Sequence, residues 1–98
     1  MTEIKLELNE RKHGAFNLYE DGIRIGEMVV SISDSALTVY HTEVDQAQEG
    51  KGFAHQLLEE MVGYARENGL KVIPLCPYVH AQFRHHPEAY TDIWQQPD

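Results

Sequence analysis

Gly50 and Gly52, in the run Glu49-Gly50-Lys51-Gly52-Phe53-Ala54, form a backbone segment suited to holding an anion. Two glycines allow a tight turn and a close main-chain approach to a ligand. If a helix begins just after them, its first N–H groups stay unpaired and point outward. A pyrophosphate suits such a cradle, and Lys51 could pair with one of its phosphates, as Arg84 could with a more distant one. The chain's single cysteine, Cys76, lies one predicted strand further on, in Pro74-Leu75-Cys76-Pro77-Tyr78. A thiol at a strand end ahead of a helix feels the positive end of the helix dipole, which favours thiolate. Cys76 could therefore attack an acyl thioester, give a proton to a leaving thiolate, or pack as an inert buried side chain.

A protonated nucleophile that attacks an acyl group must lose its proton before or during attack, so such chemistry would need a base. His41 and Glu43 alternate within a predicted strand and project to one face of it if the strand is regular. His41 is the preferred base, because histidine is the side chain that ordinarily titrates near neutrality. The six histidines include His80, His85 and His86, but none forms an H-E-x-x-H pair and there is no second cysteine, so no metal site is expected. A Walker A loop is excluded because Gly52, not Ser or Thr, follows Lys51. A dinucleotide fingerprint is excluded because His55 stands where its third glycine belongs.

The elements that must position these groups follow from periodicity. Ile4, Leu6 and Leu8 alternate with charged residues as a half-buried first strand. Residues 16–19 and 23–30 flank Glu20-Asp21-Gly22 as a hairpin, and Ser33-Asp34-Ser35 turns the chain into a fourth strand over residues 36–44. The period then changes to that of a helix, with Phe53, Ala54, Leu57, Leu58, Met61, Val62 and Ala65 on one face. Asn68-Gly69 stops it, residues 70–75 read as a buried fifth strand, and Pro77 starts a second helix that runs to about His85, before Pro87. Tyr64 and Trp94 are candidates for an exposed apolar edge or a dimer contact.

A chain of 98 residues has room for one domain, whose folding buries about two-thirds of its unfolded surface. The 16 acidic against 8 basic residues give a formal charge of −8, which disfavours nucleic acid and anionic membranes and favours a basic substrate. No internal disulfide is possible, no apolar run reaches membrane-spanning length, and Met1-Thr2-Glu3 lacks the basic start of a signal peptide. A cytoplasmic location is therefore expected.

Four antiparallel strands, a glycine loop, a helix, a parallel fifth strand and a short helix make a mixed α/β (α+β) sheet. On the residues His41-Thr42-Glu43-Val44, Gly50-Lys51-Gly52-Phe53-Ala54, Leu75-Cys76-Pro77-Tyr78-Val79 and His86-Pro87-Glu88, the chain resembles the very short, single-domain members of the GNAT superfamily of acetyl-CoA-dependent N-acetyltransferases. The resemblance covers almost the whole chain. It implies acetyl transfer to an amine on a small molecule or protein, directly or through Cys76; a monomer or weak dimer is expected. It implies that the fourth and fifth strands splay apart around the pantetheine arm, with Val44, Gln48, Glu49, Gly50, Lys51, Gly52, Phe53, Ala54, Cys76, Phe83 and Arg84 toward coenzyme A.

Two features depart from the family pattern. Ala47 stands where the loop usually carries Gln or Arg, so backbone N–H groups must do most of the holding. Phe83 occupies the place of a tyrosine that often serves as general acid, which leaves Cys76 and Tyr78 as the nearest substitutes. A non-catalytic coenzyme A-binding or protein-interaction module is the rival reading, since so short a chain lacks the helices that enclose the acceptor in larger relatives.

Overall fold

The computed structural model describes residues 1–95. Strands β1 (Thr2–Leu8), β2 (His13–Glu20), β3 (Ile23–Ile32) and β4 (Ala36–Val44) form an antiparallel meander. A 3₁₀ turn over Gln46–Gln48 leads to α1 (Phe53–Glu67), then β5 (Lys71–Pro74), α2 (Pro77–His85) and α3 (Pro87–Tyr90). β5 returns parallel to β4, so the sheet order is β1-β2-β3-β4-β5. A parallel return needs a crossover, and α1 supplies it.

The β2–β3 hairpin closes through Asp21 and Gly22, with φ of 51° and 84°. Two left-handed residues in a two-residue loop match the twist of the flanking strands. From there the register carries one apolar set across the sheet: Leu6 opposite Phe16, Phe16 opposite Met28, and Leu18 opposite Gly26. Gly26 sits where the strands are tightly packed: a Cβ there would lie 3.2 Å from the Glu43 carbonyl oxygen, which would have to give by a few tenths of an ångström. Val30, Leu37, Val39 and Val72 extend the same core.

The other face of the sheet is polar. Glu7 accepts hydrogen bonds from Asn17 Nδ2 (2.8 Å) and the Tyr19 hydroxyl (2.6 Å), which together hold its carboxyl below the ordinary carboxylate range. Arg24 donates to Glu27 at 3.0 Å, and the Ser31 and Tyr40 hydroxyls lie 2.7 Å apart.

α1 buries Phe53, Leu57, Leu58, Met61, Val62 and Ala65 while His55, Gln56, Glu59, Glu60 and Glu67 stay exposed, as the periodicity requires. Tyr64 packs edge-on against Phe16 at 5.8 Å, so it is a core contact rather than an outer edge. α2 adds Val79 and Phe83 to the same core.

α3 has no counterpart in the sequence reading, which takes Pro87 only as a stop. Pro87 does follow the end of α2, but it then occupies the first turn of α3, where its missing N–H costs nothing. After α3, Arg66 Nε holds Asp92 at 2.9 Å and Lys71 Nζ donates to the Asp92 carbonyl at 2.7 Å. The Val72 N–H donates to the Ile93 carbonyl and the Gln95 N–H to the Val72 carbonyl, which covers the far edge of β5. Trp94 thus lies half-buried against Phe83 at 5.7 Å. No helix among the described residues is long and apolar enough to cross a membrane.

Candidate functional site

β4 and β5 stay together for only four residue pairs, from Ala36 with Lys71 to Val39 with Pro74. The last bond is the Cys76 N–H to the Val39 carbonyl, at 2.8 Å. Pro74 has no N–H to continue the ladder, the Leu75 N–H turns back to Ile73, and Pro77 opens α2. β4 nevertheless runs on beside β3 to Val44. Beyond Val39, the edge of β4 toward β5 has no strand partner among the described residues, and the sheet is split there.

A bulge accompanies the split. Val29 pairs with His41 and Val30 with Val39, so Tyr40 is an extra residue on β4. One inserted residue exchanges the faces of everything after it. Thr42 and Val44 turn to the core side, half-buried, and His41 and Glu43 to the polar face with Tyr40. His41 and Glu43 do share a face, with Nε2 and Oε1 3.8 Å apart, but the strand is not regular. Thr42, not either of them, meets the cysteine: its Oγ1 lies 3.3 Å from Cys76 Sγ.

At the wide end of the split the chain winds down through Asp45, Gln48 and Glu49, whose N–H groups are paired within the loop or to Ile25. The next three N–H groups, of Gly50, Lys51 and Gly52, have no backbone acceptor among the described residues. Gly52 is the N-cap of α1 and offers no side chain, so the first N–H groups of the helix are also free. Gly50 and Gly52 hold φ of 83° and 80°, a left-handed conformation that favours glycine. A Cβ at either would meet nothing within 4 Å, so conformation and not crowding selects glycine, and the space beside the backbone is free.

Val44, Gln48, Glu49, Gly50, Gly52, Phe53, Ala54, His55 and Tyr78 line a cavity of about 210 Å³. Seven of these are the expected anion-site residues, and Tyr78 and His55 complete it. Lys51 is exposed and folds back to donate to Gln48 Oε1 at 3.0 Å. Backbone donors, a positive helix end and open space fit a pyrophosphate.

Cys76 is the N-cap of α2 and is only 2% exposed. Tyr78 is half-buried, and burial pushes its phenol above the ordinary tyrosine value, with Tyr90 and Cys76 adding to the shift. Its hydroxyl makes no hydrogen bond among the described residues. Phe83 is fully buried, stacked on Tyr90 at 4.5 Å, away from the cavity. Arg84 is exposed on α2 and does not line the cavity. The structure therefore brings together the glycine loop, Val44 and Tyr78, with Thr42 and Cys76 at the narrow end, and leaves Phe83 and Arg84 outside. Sequence reasoning missed Thr42, because alternation counted through an unseen bulge points the wrong residues inward. Among the described residues no three His, Cys, Asp or Glu side chains gather as metal ligands.

A family profile described as GCN5-related N-acetyl-transferase matches residues 15–93. Among solved structures, a ribosomal-protein-alanine N-acetyltransferase from Brucella melitensis biovar Abortus 2308 is similar at 24% identity and a TM-score of 0.64, over 92% of this chain and 70% of that one. A GNAT family acetyltransferase from Elizabethkingia anophelis, solved with acetyl-CoA bound, aligns at 14% identity and a TM-score of 0.60, over 80% of this chain and 53% of that one. Nourseothricin acetyltransferase aligns at 29% identity and a TM-score of 0.57, over 78% of this chain and 50% of its own. The chain spans about half the length of these last two. No curated protein sequence matches it.

Proposed function

The chain belongs to the GCN5-related N-acetyltransferases, and from that premise we propose that it transfers the acetyl group of acetyl-CoA directly to an amine. The observation that carries this reading is the meeting of unpaired loop and helix N–H groups with the open edge of β4. The pyrophosphate of the substrate lies on residues 50–54, and the pantetheine arm runs along β4 from Val44 toward the narrow end. Its thioester then reaches the level of Thr42 and Cys76.

Such an arm lies in the plane of the sheet, so its reactive end is reached from the polar face and backed by the packed core on the other. The acceptor amine approaches from the polar face, where His41 and Glu43 stand and His41 takes the proton. The leaving thiolate of coenzyme A takes its proton from Tyr78, whose burial keeps the phenol protonated at neutral pH. Direct transfer is preferred to an acetyl-cysteine because Cys76 is almost wholly covered and already engaged by Thr42.

A second reading, a non-catalytic coenzyme A-binding module, is favoured by one observation: Phe83 fills the place expected of the acid and is sealed in the core. Two assays decide. Acetyl-CoA or coenzyme A at 100 times Kd should stabilise the fold by about 2.7 kcal/mol in a thermal-shift experiment, and no stabilisation by either would sink both readings. Release of coenzyme A with a panel of amines, peptides and polyamines separates enzyme from binder: binding without release under any acceptor identifies the module.

A further inference from the structure

We infer that Thr42, with Cys76 across from it, closes the narrow end of the split and restricts the transferred group to acetyl. The inference rests on the proposed placement of acetyl-CoA and adds which residues select the acyl chain. Three observations carry it. The ladder ends at the Cys76 N–H to Val39 carbonyl bond, so an arm running inward along β4 cannot pass that point. The extra residue Tyr40 turns Thr42 to the core side just before the end, and its Oγ1 reaches Cys76 Sγ at 3.3 Å across the gap. Cys76 is 2% exposed, so the pair is backed by packed protein rather than by solvent.

The acetyl methyl then rests against the Thr42 and Cys76 side chains. A propionyl or butyryl chain must displace one of them or withdraw the thioester from the narrow end. One methylene refused by a tight apolar pocket is worth roughly 10–200-fold in discrimination. Neither group is asked to form a bond with substrate, so Thr42 and Cys76 are positioning and specificity residues, and Thr42 carries the selection because the bulge aims it.

The test uses binding, which needs no knowledge of the acceptor. Coenzyme A, acetyl-CoA, propionyl-CoA and butyryl-CoA are titrated calorimetrically into the wild-type protein and into Thr42→Ser and Cys76→Ala. Each substitution removes one small group from the floor of the split. Wild type should bind acetyl-CoA at least ~10-fold more tightly than butyryl-CoA, and each variant should narrow that ratio several-fold while affinity for coenzyme A, which has no acyl group, stays within about threefold. Equal affinity of wild type for the three acyl donors would overturn the selector and leave the proposed function standing. An unchanged ratio in both variants would do the same. Failure of coenzyme A and all three donors to bind wild type would remove the proposed function and the selector with it. If one variant does not fold, the other still decides.

Discussion

At the scale of single residues, Tyr78 carries the chemistry most exposed to test. Its phenol lines the cavity, has no hydrogen-bond partner among the described residues, and is held above the ordinary tyrosine value by burial. A neutral phenol is a proton donor, and loss of a positioned general acid typically slows a reaction 10²–10⁴-fold. Tyr78→Phe should therefore lower kcat by about 100-fold with little change in the KM for acetyl-CoA, as measured by coenzyme A release. The sign of the pH effect follows from the raised value: the donor form persists through neutrality, and a loss of rate assigned to Tyr78 should come only above pH 10. Cys76 is addressed separately. Direct transfer predicts no acetyl adduct in the intact mass of the wild-type protein after incubation with acetyl-CoA, whereas an adduct on Cys76 would replace direct transfer by an acyl-enzyme. The loop glycines were legible as a candidate anion site from residue type and spacing, whereas Tyr78 was a candidate only through the family resemblance, as a substitute for a tyrosine that Phe83 replaces. Thr42 was legible in neither way, because its orientation depends on Tyr40 being an extra residue, and nothing in the side chains around it announces the insertion.

At the scale of elements, the cradle is a backbone conformation before it is a set of donors. Gly52 at φ 80° caps α1 while leaving its first N–H groups free. Gly52→Ala adds a Cβ that meets no protein atom but forces an L residue into the left-handed region, at a cost of roughly 1–2 kcal/mol. The expected result is a lower Tm together with a weaker Kd for coenzyme A, read by calorimetry; a lower Tm with unchanged affinity would detach the loop from the ligand. The buried face of α1 was readable in all but Ala54, which is half-buried and lines the cavity, since period and burial otherwise agree from Phe53 to Ala65. α3 was not, because four residues carry too little periodicity to register and the force holding them is tertiary. That force includes the Arg66–Asp92 pair, in which the guanidinium keeps the carboxyl below its ordinary value. A depressed carboxylate contributes stability that is present above its unfolded pKa and lost as pH falls through the folded one. Acidification below about pH 4 should thus lower Tm less steeply in Asp92→Asn than in wild type. The pair is solvent-exposed, so the difference should be small.

At the scale of the whole molecule, a five-stranded sheet that packs one face into a single core leaves the other, with His41, Glu43 and Glu27, as the side from which the proposed acceptor approaches. The order of elements and the parallel return of β5 were legible in the sequence because each depends on local pattern: Asp-Gly in the hairpin, the change of period at Phe53, Asn68-Gly69 after the helix. The split was implied by family resemblance, and its cause lies in residues of no obvious chemistry: Pro74, which cannot extend the ladder, and the bulge opposite Val29 and Val30. The net charge of −8 gives the two substrates opposite responses to salt. Raising ionic strength should weaken the apparent affinity for a polycationic amine acceptor and leave that for the anionic acetyl-CoA unchanged or improved, as initial rates would record. The central claim is that acetyl-CoA lies in the split with its pyrophosphate on the glycine loop, and an amide NMR titration tests it most directly. Acetyl-CoA should move the backbone resonances of residues 48–55, 40–44 and 76–78 and leave β1 and the β2–β3 turn still. Shifts centred elsewhere, or none at concentrations well above micromolar, would contradict it.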